Sequence, residues 1–208
     1  MWKLYYAPFT CALASHIALE KAGADYEAER VDFGNSAQKS PEYLRVNPKG
    51  RVPALITEHG VLTETPAILA FIAQRFPGHS LAPCDDPWLF AKAQEFNSYL
   101  CATVHVAHAH KYRGYRWADD AAAMLAMQEK VPQSVGECFE LIESELLAGP
   151  WVMGQRYSIC DPYLFTVGRW LEGDGVESAR FPKVLAHRER MLEDAAVQHV
   201  LEIEEGTL

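Results

Sequence analysis

Within the 208 residues, the change that constrains the fold most falls at residues 77–87. Before it, strand-like and helix-like patterns alternate; after it, every periodic stretch is helical. The segment itself, Pro77-Gly78-His79-Ser80-Leu81-Ala82-Pro83-Cys84-Asp85-Asp86-Pro87, has three prolines in eleven residues and no periodicity, so it reads as a linker. Trp2–Tyr6 is a short apolar run closed by Pro8, and Cys11–Ala22 turns helical, with Leu13 and Ile17 one turn apart and Gly23 placed to end the helix. Tyr26–Val31 reads as a second strand, and Pro41–Val46 as a short helix stopped by Asn47-Pro48 and Gly50. Val52–Thr57 and Val61–Thr63 flank Glu58-His59-Gly60 as a hairpin, and Ile68, Leu69, Ile72 and Phe76 mark a helix beginning at Pro66. The order βαβα then ββα predicts a small mixed sheet with helices packed on it. Beyond the linker, Phe96, Leu100, Val104 and Ala107 form one stripe, and Val135, Phe139, Ile142 and Leu146 another, ended by Gly149-Pro150. The organisation expected is therefore 1–78, a linker at 79–87, and an all-helical 88–208.

Charge and cysteine usage narrow the function. The net charge is −9, and all of it arises after residue 80, because residues 1–80 hold eight Lys/Arg against eight Asp/Glu. Such a chain is a poor nucleic-acid binder, which needs a basic face. No apolar run reaches the ~20 residues of a membrane span, and no basic region leads into an apolar stretch as in a secretory signal. Five cysteines at 11, 84, 101, 138 and 160 form no C-x-x-C pair, which suits reduced thiols in a cytoplasm.

Three features of the first half belong together. Cys11 follows Pro8-Phe9-Thr10 at a helix start, where free N–H groups and the dipole can lower a thiol pKa. Arg51-Val52-Pro53 leads into a strand, where a cis peptide would leave the backbone of Val52 free to pair with a peptide-like ligand. Thr65 reads as an N-cap before Pro66, so a helix start able to hold a carboxylate lies beside Glu64, which can hold an ammonium group. Each alone has a plain structural reading; jointly they fit a cysteine-containing peptide such as glutathione.

Leu4-Tyr5-Tyr6-Ala7-Pro8, Asn47-Pro48-Lys49-Gly50-Arg51-Val52-Pro53-Ala54-Leu55 and Leu62-Thr63-Glu64-Thr65-Pro66-Ala67-Ile68 resemble the soluble glutathione transferases, and Ser158-Ile159-Cys160-Asp161 is similar to their second half. Among classes the chain looks most like the bacterial beta class. The resemblance implies a thioredoxin-like α/β domain followed by an all-α helical-bundle domain, a cytoplasmic homodimer, and glutathione as co-substrate without a metal. It also implies glutathione contacts at Cys11, Arg51, Val52, the cis-proline Pro53, Glu64 and Thr65. Cys11 and Thr10 would lie nearest the sulfur, with Tyr5 or Tyr6 in reserve. The beta class places a His-Lys pair near the thiol. Val104-His105-Val106 matches its histidine but not its lysine, and His110-Lys111 is the alternative; spacing from Phe96-Asn97 favours His105.

His105 and His108 share a helical face while His110 points some 140° from His105, so three ligands cannot converge, and adding Cys101 still leaves no acidic fourth ligand in register. Lys111, Arg113 and Arg116, interleaved with Tyr112, Tyr115 and Trp117, are the basic cluster of an acidic half: a solvated helix end, or a clamp for an anion. Ser158 and Asp161 suit a capping box, unless Asp161 caps with Pro162 following it. The activity expected is a glutathione transferase adding the thiolate to a hydrophobic electrophile. The alternatives are a thiol–disulfide oxidoreductase using Cys11 and a non-catalytic binding or regulatory protein on the same fold.

Overall fold

A computed structural model describes residues 1–206. The chain runs β1 (Trp2–Tyr6), α1 (Ala12–Lys21), β2 (Tyr26–Arg30), α2 (Pro41–Val46), β3 (Ala54–Thr57), β4 (Gly60–Thr63) and α3 (Thr65–Arg75). It continues through α4 (Pro87–Tyr99), α5 (His105–Arg113), α6 (Ala121–Leu141), α7 (Cys160–Gly168), α8 (Pro182–Leu192) and α9 (Ala195–Glu205). The sheet has the order β2-β1-β3-β4, with β1 and β2 parallel and the other pairs antiparallel. That is a small mixed sheet with helices followed by a helical half, as the patterning predicts, and it is the thioredoxin-like arrangement that the resemblance implies.

Alternation explains the central strand. Trp2, Leu4 and Tyr6 are buried while Lys3 and Tyr5 are partly exposed, so one face of β1 meets the helices. Leu4 packs with Ala14, Ala18, Leu69 and Ile72, and the same cluster continues into Phe96, Leu100, Val104, Phe139 and Tyr163 of the helical half. Fully burying each such large side chain contributes about 1.5–3 kcal/mol. The segment read as a linker is pinned to this core: Leu81 is buried, and its carbonyl accepts the Ile159 N–H at 2.7 Å.

Two short π-helical stretches depart from the expected spacing. Leu100–Val104 joins α4 to α5 without a break, and Ile142–Leu146 ends α6. A π turn takes an extra residue, so the second stripe slips: Leu147 is buried and Leu146 only partly so, and the helix stops three residues before Gly149. At α7 Ser158 and Asp161 bond as in a capping box, although the cap position itself falls on Ile159, which makes no side-chain cap bond. Asp161 accepts the Ser158 N–H at 2.6 Å, and Ser158 Oγ accepts the Cys160 N–H at 3.2 Å. Asp161 also accepts the Val152 N–H at 2.8 Å and lies 3.0 Å from His187 Nε2, which ties the loop before α7 to α8.

Candidate functional site

A cavity of about 550 Å³ opens between the sheet half and α5, within the size range of small-molecule sites. Thr10, Cys11, Arg51, Val52, Pro53, Glu64, Thr65 and His105 all line it, although 95 residues separate the first from the last. Tyr5, Tyr6, His110 and Lys111 are not among its lining residues; Tyr5 packs edge-on against Tyr43, and His110 against Trp117. Among the described residues no group of three His, Cys, Asp or Glu is disposed to hold a metal ion.

Local chemistry fixes the turn at 47–53. Asn47 is buried, its Nδ2 donates to the Arg51 carbonyl at 2.6 Å, and its Oδ1 accepts the Lys49 N–H at 3.1 Å. Tyr43 donates its hydroxyl to the same Arg51 carbonyl at 2.7 Å. Two buried donors on one carbonyl clamp the turn, and the Val52–Pro53 bond that follows is cis. Among the described residues the Val52 N–H has no hydrogen-bond partner, whereas its carbonyl lies 3.7 Å from Cys11 Sγ. The edge of Val52 is thus open to an added strand on its donor side.

Thr65 corrects a sequence expectation. It is the first residue of α3 rather than its cap; Glu64 holds the cap position with φ +76° and offers no side-chain cap bond. A non-glycine residue at such an angle costs about 1–3 kcal/mol, a strain that clusters at ligand sites. The Glu64 carboxylate is occupied by Lys49 Nζ at 2.6 Å, which also donates to the Thr63 hydroxyl at 2.7 Å. Both partners are half-exposed, so the pair is weak and exchangeable.

Both residues expected nearest a ligand sulfur line the cavity, but the thiol of Cys11 is not lowered as a helix start suggests. Thr10 donates its hydroxyl to the Ala7 carbonyl at 2.7 Å and accepts the Ala12 N–H at 3.3 Å, so its proton is spent on the turn into α1. Burial pushes the Cys11 thiol up to about 11, against smaller downward pulls from the Thr65 hydroxyl and the Arg113 guanidinium. Desolvation of the thiolate outweighs these hydrogen-bond and charge contributions. Cys11 is a protonated S–H donor at neutral pH.

On the opposite wall, burial drives His105 down to about 3, helped by the charges of Arg113, His108, Arg116 and Arg51. His105 is a neutral imidazole. Trp170 stacks on His108 at 4.3 Å and lies 5.1 Å from His105, while Asp174 holds His108 Nδ1 at 2.8 Å. Trp170, Tyr163 and Asn47 are site residues that the sequence reading missed. Asn47 opens the 47–53 motif but its role there is shown only by its hydrogen bonds, whereas Tyr163 and Trp170 carry no local motif, and only the tertiary fold brings α7 and its following turn to the cavity.

Comparison with known proteins gives a consistent picture. Residues 2–74 match the family described as "Glutathione S-transferase, N-terminal domain". Glutathione S-transferase GstA of Escherichia coli O157:H7 is 34% identical over 205 residues, covering 97% of this chain and 98% of its own. A glutathione transferase homolog from Sulfitobacter, solved with bound glutathione, superposes with a TM-score of 0.95 at 43% identity over 98% of both chains. The bacterial beta class glutathione S-transferase of Sphingomonas chungbukensis superposes with a TM-score of 0.85 at 31% identity, covering 99% of this chain and 100% of its own.

Proposed function

The chain belongs to the soluble glutathione transferase family, and on that footing we propose that it binds glutathione along the 51–53 turn and directs the thiolate at an electrophilic small molecule. The observation that carries this reading is the convergence of residues 10–11, 51–53, 64–65 and 105 on one cavity. The free edge of Val52 pairs with the cysteinyl unit as an added strand. Glu64 exchanges Lys49 for the γ-glutamyl ammonium, the Thr65 end of α3 receives the neighbouring carboxylate, and Arg51 receives the glycyl carboxylate.

Proton order then favours the ligand. With Cys11 at about 11 and an ordinary thiol at ~8.5, glutathione ionises first. The Cys11 S–H turns from the Val52 carbonyl, 3.7 Å away, to the ligand sulfur, and the neutral His105 N–H is the second donor. A hydrogen bond to a charged group contributes ~1.5–3 kcal/mol, or roughly one to two pKa units of thiolate stabilisation. Thr10 acts by holding Cys11 in place. The same proton order disfavours the oxidoreductase alternative, which needs a Cys11 thiolate.

Glutathione should therefore stabilise the fold by RT ln(1 + [L]/Kd), about 2.7 kcal/mol at a hundredfold excess over Kd, a rise in Tm of ~5–10 °C at this size. Glu64→Ala with Thr65→Ala should remove most of the rise. A melt unmoved by millimolar glutathione overturns the reading. Two further parts of it are a cytoplasmic setting, supported by five free cysteines, and a homodimer, supported by exposed Trp88, Leu89 and Val61. Light scattering should read twice the 23.3 kDa chain mass; a reading of one chain mass removes the dimer.

A further inference from the structure

The cavity carries more positive charge than glutathione uses. Lys39, Arg51, Arg113 and Arg116 line it, and Glu64 is the one carboxylate among its lining residues, in a chain whose net charge is −9. A chain so acidic that gathers cations at one cavity points to an anionic ligand there. Glutathione accounts for part of this: its ammonium meets Glu64, one carboxylate meets the start of α3, and the other meets Arg51. Lys39, Arg113 and Arg116 are left over; Arg113 ends α5 and Arg116 lies in the turn after it, on the far wall.

Arg113 is the decisive residue. Its Nε and Nη2 are buried, and among the described residues neither has a hydrogen-bond partner. A buried guanidinium with free N–H groups is costly unless an acceptor reaches it, and its planar fork suits a carboxylate bidentately. Beside it, Trp170 is held flat by its stack on His108, and Trp117 and Tyr115 stand exposed at the mouth. The wall thus pairs a cationic fork with aromatic faces.

We propose that the second substrate is an electrophile with a flat unsaturated or aromatic body and a carboxylate-type anionic group, which Arg113 grips and Arg116 assists. The proposal rests on the transferase reading and adds the substrate class to it. In the step itself the glutathione thiolate forms a C–S bond with its lone pair at the electrophilic carbon. With an aryl chloride the C–Cl bond breaks and chloride leaves with the bonding pair, the thiol proton having gone to water.

A matched pair of probes tests it: 4-chloro-3-nitrobenzoate and 4-chloro-3-nitrobenzamide. Their intrinsic reactivities differ, but that difference cancels when the benzoate-to-benzamide ratio of kcat/KM is compared between wild type and variant. Arg113→Gln should lower this ratio roughly tenfold or more, as loss of a charged hydrogen bond requires, and the exposed Arg116→Gln about threefold. The second variant keeps the test alive if the first fails to fold. A ratio unmoved in both variants overturns the proposal, including the case in which both rates fall together because Arg113 serves the glutathione thiolate.

Quenching of tryptophan fluorescence by unreactive 3-nitrobenzoate and 3-nitrobenzamide reads the same preference without turnover. Preferential benzoate binding that Arg113→Gln removes, in a protein conjugating neither chloride, upholds the anion site and overturns the transferase reading instead. Equal preference in wild type and variant overturns the anion site.

Discussion

Alkylating the protein with iodoacetamide in the absence of glutathione measures directly which way the Cys11 proton goes. An exposed thiol at ~8.5 is about 7% ionised at about pH 7.4. With Cys11 pushed up to about 11, the thiolate fraction is ~0.03%, roughly 300-fold less. A more basic thiolate is intrinsically more nucleophilic, and a Brønsted slope of ~0.4–0.5 over ~2.5 units returns about 10–18-fold. The net expectation is alkylation ~20-fold slower than that of free cysteine. The rate should climb about tenfold per pH unit and level off only near pH 11, because the thiolate alone reacts. Peptide mass spectrometry after timed quenching reads Cys11 separately from the other four cysteines. A Cys11 that alkylates as fast as free cysteine at neutral pH, or levels off below about pH 8, refutes the reasoning that burial holds the thiol protonated.

Other outcomes follow from the same geometry. Cys11→Ser keeps a small donor in front of α1, so aryl halide conjugation should stay within about tenfold, or ~1.4 kcal/mol, while any disulfide-reductase activity disappears; conjugation lost with reductase activity kept would assign Cys11 to the opposite chemistry. Asp161→Ala strands the Val152 and Ser158 N–H groups and His187 inside the protein. Urea unfolding should record a loss of about 3–5 kcal/mol, and a loss under about 1 kcal/mol shows that water or repacking takes over these partners.

What the sequence made legible was local. Strand β1, helix α1 and the capping box at Ser158 rest on residues a few positions apart, and their patterns survive folding unchanged. Position along the chain was also enough to bring Cys11, Val52 and Glu64 to notice, because each sits at the end of an element. What stayed hidden depended on distance in space. The protonation of Cys11 is set by desolvation, which no helix-start pattern encodes. Thr10 faces the cavity, yet its hydroxyl bonds to Ala7, a partner visible only once the turn is built. The π-helical stretch at 142–146 shifted the apolar stripe by one residue, since periodicity assumed an unbroken α-helix. Lys49 pairs with Glu64 from fifteen residues earlier in the chain, a partner the sequence reading did not foresee.

Helix α1, which brings Cys11 to the cavity, is closed on its other side by the last helix of the fold. His16 Nδ1 lies 2.8 Å from the Glu204 carboxylate, both fully buried, across a sequence separation of 188 residues. Leu13 and Ile17 lie in one cluster with Phe165, Met191, Val197, Val200 and Leu201. On a ribosome, the sheet-bearing half is therefore complete in sequence long before it is complete in structure. At about 5–20 residues per second, the thiol-bearing helix waits at least several seconds with an apolar flank and a histidine facing solvent. Over that interval the nascent chain is a natural client for whatever holds unfinished proteins apart.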